Sequence, residues 1–266
     1  MERGELLIMW EKELKEAVFA GLKAKEEILK IYNQGFDVEI KDDNSPVTIA
    51  DKTADRIIRE HLHKMFPNHA FLTEESEDDK SRLNNDYVWI VDPVDGTKDF
   101  VARDGGFTTN IALAYKHEVV VGVVVVPVTG DIYYATKDGG AFHEINGVTK
   151  RIRVNDKTED LTVLRSVFHF NENEQALIDK HSDKIKHIEK FGSSLKPCRI
   201  AEGLAEITYR ISGGTKEWDT AAFQIIVEEA GGYVLEPNGN RLTYNREDVY
   251  NRNGYIVVNR KENILL

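Results

Sequence analysis

A buried strand that ends in two closely spaced carboxylates is the feature of this sequence that most limits its fold. Residues 88–91 read Val-Trp-Ile-Val, which predicts a strand, and the turn residues at 92–96 then interrupt it, so that Asp92 and Asp95 leave the strand end together. Gly96 lets a ligand approach the backbone closely, and Thr97 offers a hydroxyl and an amide. Such oxygen donors suit a hard divalent cation, and such amides suit a phosphate. An acidic surface turn that caps a helix is the alternative interpretation.

The overall composition is that of a globular protein and excludes several functional classes. The 266 residues are 41% hydrophobic and 30% charged, which allows one large domain or two that pack closely. The net charge of −11 argues against a nucleic-acid polymer as partner, although a small anionic substrate can bind where metal ions reverse the charge. No apolar run has the length of a membrane span, and the polar N-terminus predicts no signal peptide. Cys198 is the only cysteine, so we expect a reducing, cytoplasmic location and no membrane partner.

The first half of the chain predicts two helices followed by an antiparallel sheet. Apolar residues at helical spacing indicate one helix that ends near residues 33–35 and a second that begins at Asp51, with a polar loop at 41–46 between them. A short strand at 70–72 leads to Glu74. After the turn at 92–97, β-rich segments predict an antiparallel meander, with strands at 107–115, 119–126, 132–135, 139–143 and 151–154.

In the second half of the chain the predicted strands and helices alternate. Its predicted strands are 161–168, 188–191, 206–211, 233–235 and 255–258, and its predicted helices are 174–189, 194–202 and 221–230. We therefore predict an α/β protein with an α+β half at residues 1–154 and an α/β half at residues 155–266, packed tightly as one unit.

Acidic residues lie at the points where predicted strands end or helices begin: Asp51, Glu74, Asp92, Asp95 and Asp219. Each has an ordinary explanation, since Asp51 and Asp219 are suited to cap helices and Glu74 lies in an acidic loop. If the fold brings these carboxylates together, they repel one another strongly unless cations neutralise them. Spacing alone leaves this open, because Asp92 and Asp219 are 127 positions apart.

Three motifs of this sequence occur together in one known superfamily. They are Glu74-Glu75-Ser76, the run from Trp89 to Thr97, and Trp218-Asp219-Thr220-Ala221-Ala222 with a helix end at Glu229-Ala230-Gly231-Gly232. The combination of Asp-Pro-x-Asp-Gly-Thr with a distant Trp-Asp-x-Ala-Ala resembles the inositol monophosphatase superfamily of magnesium-dependent, lithium-sensitive phosphatases. The similarity extends over nearly the whole chain, and it implies the layered α-β-α-β-α fold of the sugar phosphatases.

Further stretches narrow the resemblance. Residues 43–51, 98–113, 192–203 and 215–219 are similar to the CysQ-type 3′(2′),5′-bisphosphate nucleotidases within that superfamily. Two departures concern the substrate pocket. Phe223 stands where the superfamily usually has glycine, which places bulk against a neighbouring strand or a substrate base. A Ser-Arg-Ser-His run of the subgroup is replaced by residues 164–169, Leu-Arg-Ser-Val-Phe-His, so that His169 is displaced.

The resemblance implies a set of metal ligands. Glu74, Asp92 and the Val94 carbonyl would hold one Mg²⁺, and Asp92, Asp95 and Asp219 would hold a second, with Asp92 as the bridge. A third, weakly held Mg²⁺ would lie near Glu74. The metals would lower the pKa of a bound water and hold the phosphate oxygens for in-line attack.

The resemblance also implies catalytic groups. Thr97, positioned by Asp51, would orient the attacking water and help to remove its proton, and the phosphate would bind the amides of Gly96 and Thr97 at the start of a helix. Candidates for contacts with the rest of the substrate are Ser193, Ser194, Lys196 and Lys216. In the alternative interpretation Ser194 caps a helix and the two lysines are solvated.

Taken together, the resemblance implies an enzyme that removes the 3′-phosphate of 3′-phosphoadenosine 5′-phosphate and releases AMP and phosphate. Hydrolysis of inositol-1-phosphate or fructose-1,6-bisphosphate at the same metal site is a related alternative. A non-catalytic sensor or interaction protein is a remote one. The sequence is compatible with a monomer and with a homodimer.

Overall fold

The computed structural model describes residues 9–40 and 46–266. Its helices are α1 Glu11–Gln34, α2 Ile49–Met65, α3 Thr97–Ala102, α4 Glu172–Lys180, α5 Leu195–Ala201 and α6 Glu217–Glu229. Its strands are β1 Val38–Ile40, β2 Pro46–Thr48, β3 Ala70–Thr73, β4 Tyr87–Asp95, β5 Thr108–Tyr115, β6 Glu118–Val125, β7 Ile132–Thr136, β8 Gly140–Ile145, β9 Val148–Ile152, β10 Leu161–Arg165, β11 Ile185–Lys190, β12 Ile207–Arg210, β13 Tyr233–Leu235 and β14 Tyr255–Val258. Single 3₁₀ turns lie at Ser81–Asn84 and Lys261–Asn263. Residues 41–45 of the predicted polar loop at 41–46 lie outside the described residues, and Pro46 begins β2.

Helices α1 and α2 cover one face of a large sheet. Because successive side chains of a strand point to opposite faces, Trp89 and Val91 of β4 pack into the core beneath these helices. Val88 and Ile90 of the same strand join a separate core on the opposite face. The predicted end of the first helix is confirmed at Gln34.

The large sheet has the strand order β3-β4-β5-β6-β7-β8-β9. Strand β3 runs parallel to β4, and each later strand is antiparallel to its predecessor, so the predicted meander is confirmed. Asn146 and Gly147 both have positive φ angles, 52° and 75°, as the two-residue turn between β8 and β9 requires.

A middle layer of helices α5 and α6 lies between the large sheet and a smaller one. Helix α6 approaches β6 closely at Gly122, where a Cβ atom would lie 2.3 Å from the Ala222 carbonyl oxygen. Helix α6 is apolar on nearly every side, since it packs against the large sheet on one side and β13 on the other. This packing fixes the position of its first turn, which carries Asp219.

The smaller sheet has the order β11-β10-β12-β14-β13 and is mixed. Strand β10 is parallel to β11 and β12, whereas β14 is antiparallel to β12 and β13. Helix α4 covers its outer face, where Ile178 packs with Val163 and Ile207. The layers therefore follow the order α-β-α-β-α, as the resemblance implies.

The predicted helix at 174–189 is wrong in its second half. Helix α4 ends at Lys180, and β11 begins five residues later at Ile185. The segment becomes a strand because Ile185 pairs with Leu161 of β10 and is buried there. This pairing is between distant residues, so local helical spacing does not reveal it.

The division into halves at residues 154 and 155 stays a prediction; β9 ends at Ile152 and β10 begins at Leu161. Within residues 9–40 and 46–266, no helix combines the length and the apolar character that a bilayer crossing requires.

Candidate active site

A cleft of about 220 Å³ opens where β4 ends and where α3, α5 and α6 begin. Its acidic end is lined by Glu74, Asp92, Asp95 and Asp219. The residues that line the rest include Val94, Gly96, Thr97, Lys98, Ser166, His169, Ser193, Ser194, Lys196, Tyr209, Arg210, Lys216 and Tyr255. The predicted ligands and substrate contacts, from four separate parts of the chain, thus border one cavity.

Three of the predicted metal ligands meet at the acidic end. One carboxylate oxygen from each of Asp92, Asp95 and Asp219 lies within 4.8 Å of the others. Asp92 is the most enclosed of the three, with 1% of its surface exposed. Glu74 follows the end of β3, and its amide donates to the Val91 carbonyl of the neighbouring β4 at 3.2 Å.

A bulge at the end of β4 brings Asp92 and Asp95 to the same cavity. Asp92 pairs with Asn110 of β5 and Asp95 with Thr108, so two residues of β4 stand opposite the single Thr109. The extra residue bends the strand, and the Val94 amide donates to the Asp92 carboxylate at 3.1 Å. The sequence predicts that the strand stops before Asp92, whereas it continues through this bulge to Asp95.

Asp95 is oriented by a set of donors that sequence reasoning largely missed. Its Oδ2 atom accepts hydrogen bonds from the Asn110 amide at 3.1 Å and the Thr108 hydroxyl at 3.3 Å. The backbone amide and the hydroxyl of Ser194 both donate to the same oxygen at 2.9 Å. Polar residues in the otherwise apolar strand β5 were the available signal for Thr108 and Asn110. The donors around Oδ2 fix the direction of the Asp95 carboxylate.

Ser194 precedes α5 but does not cap it through its side chain. Its exposed fraction is 1%, and its two donors serve Asp95. Its predicted contact with substrate stays a prediction.

Asp219 and Asp51 each occupy the third residue of a helix, not the N-cap position that the alternative explanation assigns to them. Helix α6 begins after Lys216, whose amide donates to Asp219 Oδ2 at 2.5 Å. Helix α2 begins after Thr48, whose amide and hydroxyl donate to Asp51 Oδ2 at 2.8 and 2.7 Å. In both capping boxes the N-cap residue, three positions earlier, donates to one carboxylate oxygen of the aspartate, and this bond fixes the direction of the carboxylate.

The predicted catalytic pair is in contact. The Thr97 hydroxyl lies 3.3 Å from Asp51 Oδ1 and 3.3 Å from the Val94 carbonyl oxygen. Thr97 is the first residue of α3, and Gly96 before it has a φ of 91°, which favours glycine. The Thr97 hydroxyl therefore borders the acidic end of the cleft with two acceptors behind it.

Four acidic residues, Asp51, Asp92, Asp95 and Asp219, carry pKa values that are raised first of all by burial. Burial first, and then the charges of Glu74 and Asp95, raises the pKa of Asp92 well above its usual value. Burial, Asp95 and Glu74 raise the pKa of Asp219 to about 8. Burial also raises the pKa of Asp51 and of Asp95, the latter against the opposing charge of Lys196. We refer to Glu74, Asp92, Asp95 and Asp219 as the acidic cage. As long as no cation balances their charge, ionisation of these carboxylates destabilises the folded protein.

The predicted substrate lysines are not simply solvated. Lys196 is buried, its Nζ donates to the Ser193 carbonyl at 2.8 Å, and burial lowers its pKa to about 8. The Lys216 Nζ lies 5.1 Å from the Trp218 ring centre and 5.5 Å from the Tyr250 ring centre. Ser193 lies at the cleft, and its hydroxyl donates to the Gly106 carbonyl at 2.8 Å.

Basic and aromatic side chains line the same cleft as the carboxylates. They are Lys98, Arg210, Tyr209 and Tyr255. Two sequence departures are found in the same cleft. Phe223 is 1% exposed, and its ring centre lies 5.5 Å from that of Tyr255, so its bulk faces the smaller sheet. The displaced His169 lines the cleft beside Ser166.

Comparison with known sequences finds relatives over most of the chain. Residues 9–264 match the inositol monophosphatase family. The chain is 37% identical over 237 residues to the 3′(2′),5′-bisphosphate nucleotidase CysQ of Salmonella typhimurium, covering 88% of this chain and 94% of that one. The corresponding CysQ of Escherichia coli is 36% identical over the same shares.

Solved structures agree with the sequence comparisons. The crystal structure of CysQ from Bacteroides thetaiotaomicron superposes with a TM-score of 0.82 at 34% identity, covering 96% of this chain and 100% of that one. The Thermotoga maritima IMPase gives a TM-score of 0.78 at 27% identity, covering 93% and 92% of the two chains. The resemblance seen in the motifs is thereby confirmed, and it extends over nearly the whole length of the chain. The protein is a phosphatase and belongs to the inositol monophosphatase family.

Proposed function

We propose that the protein is a Mg²⁺-dependent phosphomonoesterase that converts 3′-phosphoadenosine 5′-phosphate to AMP and phosphate. The observation that carries the proposal is that one cleft contains two kinds of side chain. Three carboxylates converge in it, and basic and aromatic side chains line the same cleft. CysQ relatives named as 3′(2′),5′-bisphosphate nucleotidases support this substrate class.

The cage of carboxylates fits divalent cations. Its members are oxygen donors, burial raises the pKa values of Asp92, Asp95 and Asp219, and Asp95 and Asp219 each have one oxygen anchored by donors. Glu74, Asp92 and the Val94 carbonyl would hold one Mg²⁺, and Asp92, Asp95 and Asp219 the second, with a third weakly held near Glu74. Bound Mg²⁺ would supply positive charge to the phosphoryl oxygens and increase the acidity of water.

Thr97 and Asp51 are proposed to move the proton of the attacking water. In this step the Thr97 hydroxyl oxygen accepts a proton from water as the water oxygen bonds to phosphorus. The hydroxyl passes its own proton to Asp51 Oδ1, 3.3 Å away. The bond from phosphorus to the ester oxygen breaks, its electron pair stays on that oxygen, and the oxygen takes up a proton from solvent water as the alcohol leaves. The backbone amides of Gly96 and Thr97 would hold the phosphate oxygens during the step.

The remainder of the substrate is proposed to bind the basic and aromatic side chains of the cleft. Lys98 and Arg210 offer positive charge for a second phosphate, and Lys196 and Lys216 add further positive charge. Tyr209 and Tyr255 offer aromatic surface for a base. Ser193 and Ser194 would lie at the ribose. Inositol-1-phosphate carries no base and a single phosphate, so it would leave these groups without a partner.

A comparison of substrates tests the proposal. Phosphate release would be measured with and without Mg²⁺ on 3′-phosphoadenosine 5′-phosphate, inositol-1-phosphate and fructose-1,6-bisphosphate in one preparation. We expect the highest kcat/KM on the bisphosphate nucleotide, and R210M is expected to lower it more for that substrate than for inositol-1-phosphate. A preference for inositol-1-phosphate would overturn the substrate assignment. If none of the three substrates is hydrolysed with Mg²⁺, the proposed activity is overturned and a non-catalytic sensor or interaction protein is favoured.

We further propose a cytoplasmic location, on the strength of the single cysteine. The oligomeric state stays open between monomer and homodimer, and sedimentation analysis would decide it.

A further inference from the structure

A buried polar network joins the two sides of the acidic cage at a distance from the cleft. One side is the segment that follows Glu74, and the other is the first turn of α6, which carries Asp219. The network consists of Asp78, Arg82, Asn245, Arg246 and Glu217, and none of these residues lines the cleft. We refer to these five residues as the clamp.

Arg82 anchors the clamp in the segment after Glu74. It lies in the 3₁₀ turn Ser81–Asn84 and is 1% exposed. Its Nε and Nη2 atoms donate to the two oxygens of Asp78 at 3.0 and 2.8 Å, which is a bidentate ion pair. Its Nη1 donates to the Asn245 side-chain oxygen at 2.8 Å, and Nη2 also reaches the Arg246 carbonyl at 3.0 Å.

Asn245 carries the connection across to α6. Its side-chain amide donates to the Arg82 carbonyl at 3.2 Å and to the Asn85 carbonyl at 3.3 Å. Its backbone amide donates to Glu217 Oε2 at 2.7 Å. Asn245 has a φ of 56°, a conformation that asparagine tolerates better than most residues, so its identity suits this position.

Glu217, which lies on α6 two residues before Asp219, accepts the hydrogen bonds of the clamp. It is fully buried, and its Oε1 accepts from the Arg246 amide at 2.8 Å and from Arg246 Nε at 3.2 Å. Both oxygens are thus engaged by the segment that Arg82 holds. A buried carboxylate that loses such partners is strongly unfavourable, so the first turn of α6 is held to the position that satisfies Glu217.

We propose that Arg82, Asn245 and Glu217 are positioning residues that fix Glu74 relative to Asp219 and thereby set the affinity of the cage for its divalent cation. The proposal rests on the metal assignment of the proposed function. Its physical basis is that carboxylates in a cage repel one another, so a cage without rigid support would open and lose the geometry that a cation requires.

Metal binding without substrate tests the clamp directly. Mn²⁺ binding to the protein would be titrated by electron paramagnetic resonance and by calorimetry for the wild type, E217Q and R82K. E217Q keeps the shape of the side chain but replaces one acceptor with a donor, which cannot receive a backbone N–H. E228Q is the matched control. Glu228 lies in the last turn of the same helix and makes a bidentate pair with Arg241, with both distances 2.7 Å, away from the cage.

We expect E217Q and R82K to bind Mn²⁺ about tenfold more weakly or worse, the range seen when groups behind metal ligands are changed. The Mg²⁺ concentration for half-maximal activity should rise in parallel, while kcat at saturating Mg²⁺ stays within about threefold of wild type. E228Q should bind Mn²⁺ as the wild type does, even if its melting temperature falls.

Two failures are distinguishable. If E217Q binds Mn²⁺ with wild-type affinity, the clamp is overturned and the proposed function stands. If R82K does not fold, E217Q alone decides the matter. If the folded wild type binds no Mn²⁺ and hydrolyses no monoester, the proposed function is overturned and the clamp with it.

Discussion

Replacing Asp219 with asparagine should stabilise the metal-free protein, although it removes a proposed ligand. The reason is electrostatic: burial, Asp95 and Glu74 raise the pKa of Asp219 to about 8, against an ordinary value of 3.8. The hydrogen bond from the Lys216 amide can be kept, because the asparagine oxygen can accept it in place of Asp219 Oδ2. D219N therefore removes the charge and preserves the capping box.

The sign and size follow from proton linkage. The unfolded chain releases this proton near pH 4, whereas the folded chain retains it to about pH 8, so the free energy of unfolding decreases as the pH rises between these values. At 1.4 kcal/mol for each pH unit, the loss is about 4 kcal/mol at pH 7 and about 2 kcal/mol at pH 5. Because neighbouring carboxylates share this cost, these values are upper limits for the single substitution. We expect D219N to raise the free energy of unfolding of the metal-free protein by a few kcal/mol at pH 7 and by distinctly less at pH 5.

Urea unfolding of metal-free protein, followed by circular dichroism at pH 5 and pH 7, measures the effect. D248N serves as the control. Asp248 is an exposed partner of Arg252, so its substitution should not raise the free energy of unfolding. With Mg²⁺ present the order should reverse, since binding stabilises the wild type more. The reasoning is refuted if metal-free D219N is less stable than wild type at pH 7, or if its gain is the same at both pH values.

Three other substitutions test separate parts of the structure. D95N should fold normally and lose at least about a hundredfold in kcat, because it removes a charge from the proposed metal site; near-wild-type phosphate release would contradict that role. S194A removes one of the two donors that Ser194 supplies to Asp95, so the Mg²⁺ concentration for half-maximal activity should rise about tenfold, and an unchanged Mg²⁺ dependence would show that this hydroxyl does not orient the carboxylate. G122A places a Cβ 2.3 Å from the Ala222 carbonyl oxygen and should lower the free energy of unfolding by about 1–3 kcal/mol; unaltered denaturation would mean that α6 can move away from β6 without cost.

Much of the architecture could be predicted from the sequence because its causes are local. The strands of the large sheet follow from short apolar runs separated by turn residues, and a meander joins neighbours in the chain. The motif at 92–97 contains, within six residues, a bulge and two carboxylates, so its chemistry could be recognised before its geometry was known. The family resemblance added Asp219 to this set, although no spacing argument connects the two.

What required the tertiary structure are the relations between distant segments. Ser194 of one segment and Asn110 of another hold the same oxygen of Asp95, and neither contact has a local signature. The strand at Ile185–Lys190 formed against a helical prediction because pairing with β10 outweighs local preference. Likewise Asp51 and Asp219 are the third residues of their helices, since Thr48 and Lys216 occupy the N-cap positions. The amino-acid sequence by itself determined which side chains can bind a cation and a phosphate. Only packing determined which of their oxygens face one another, because repulsion among buried carboxylates is overcome by contacts spread over the whole fold.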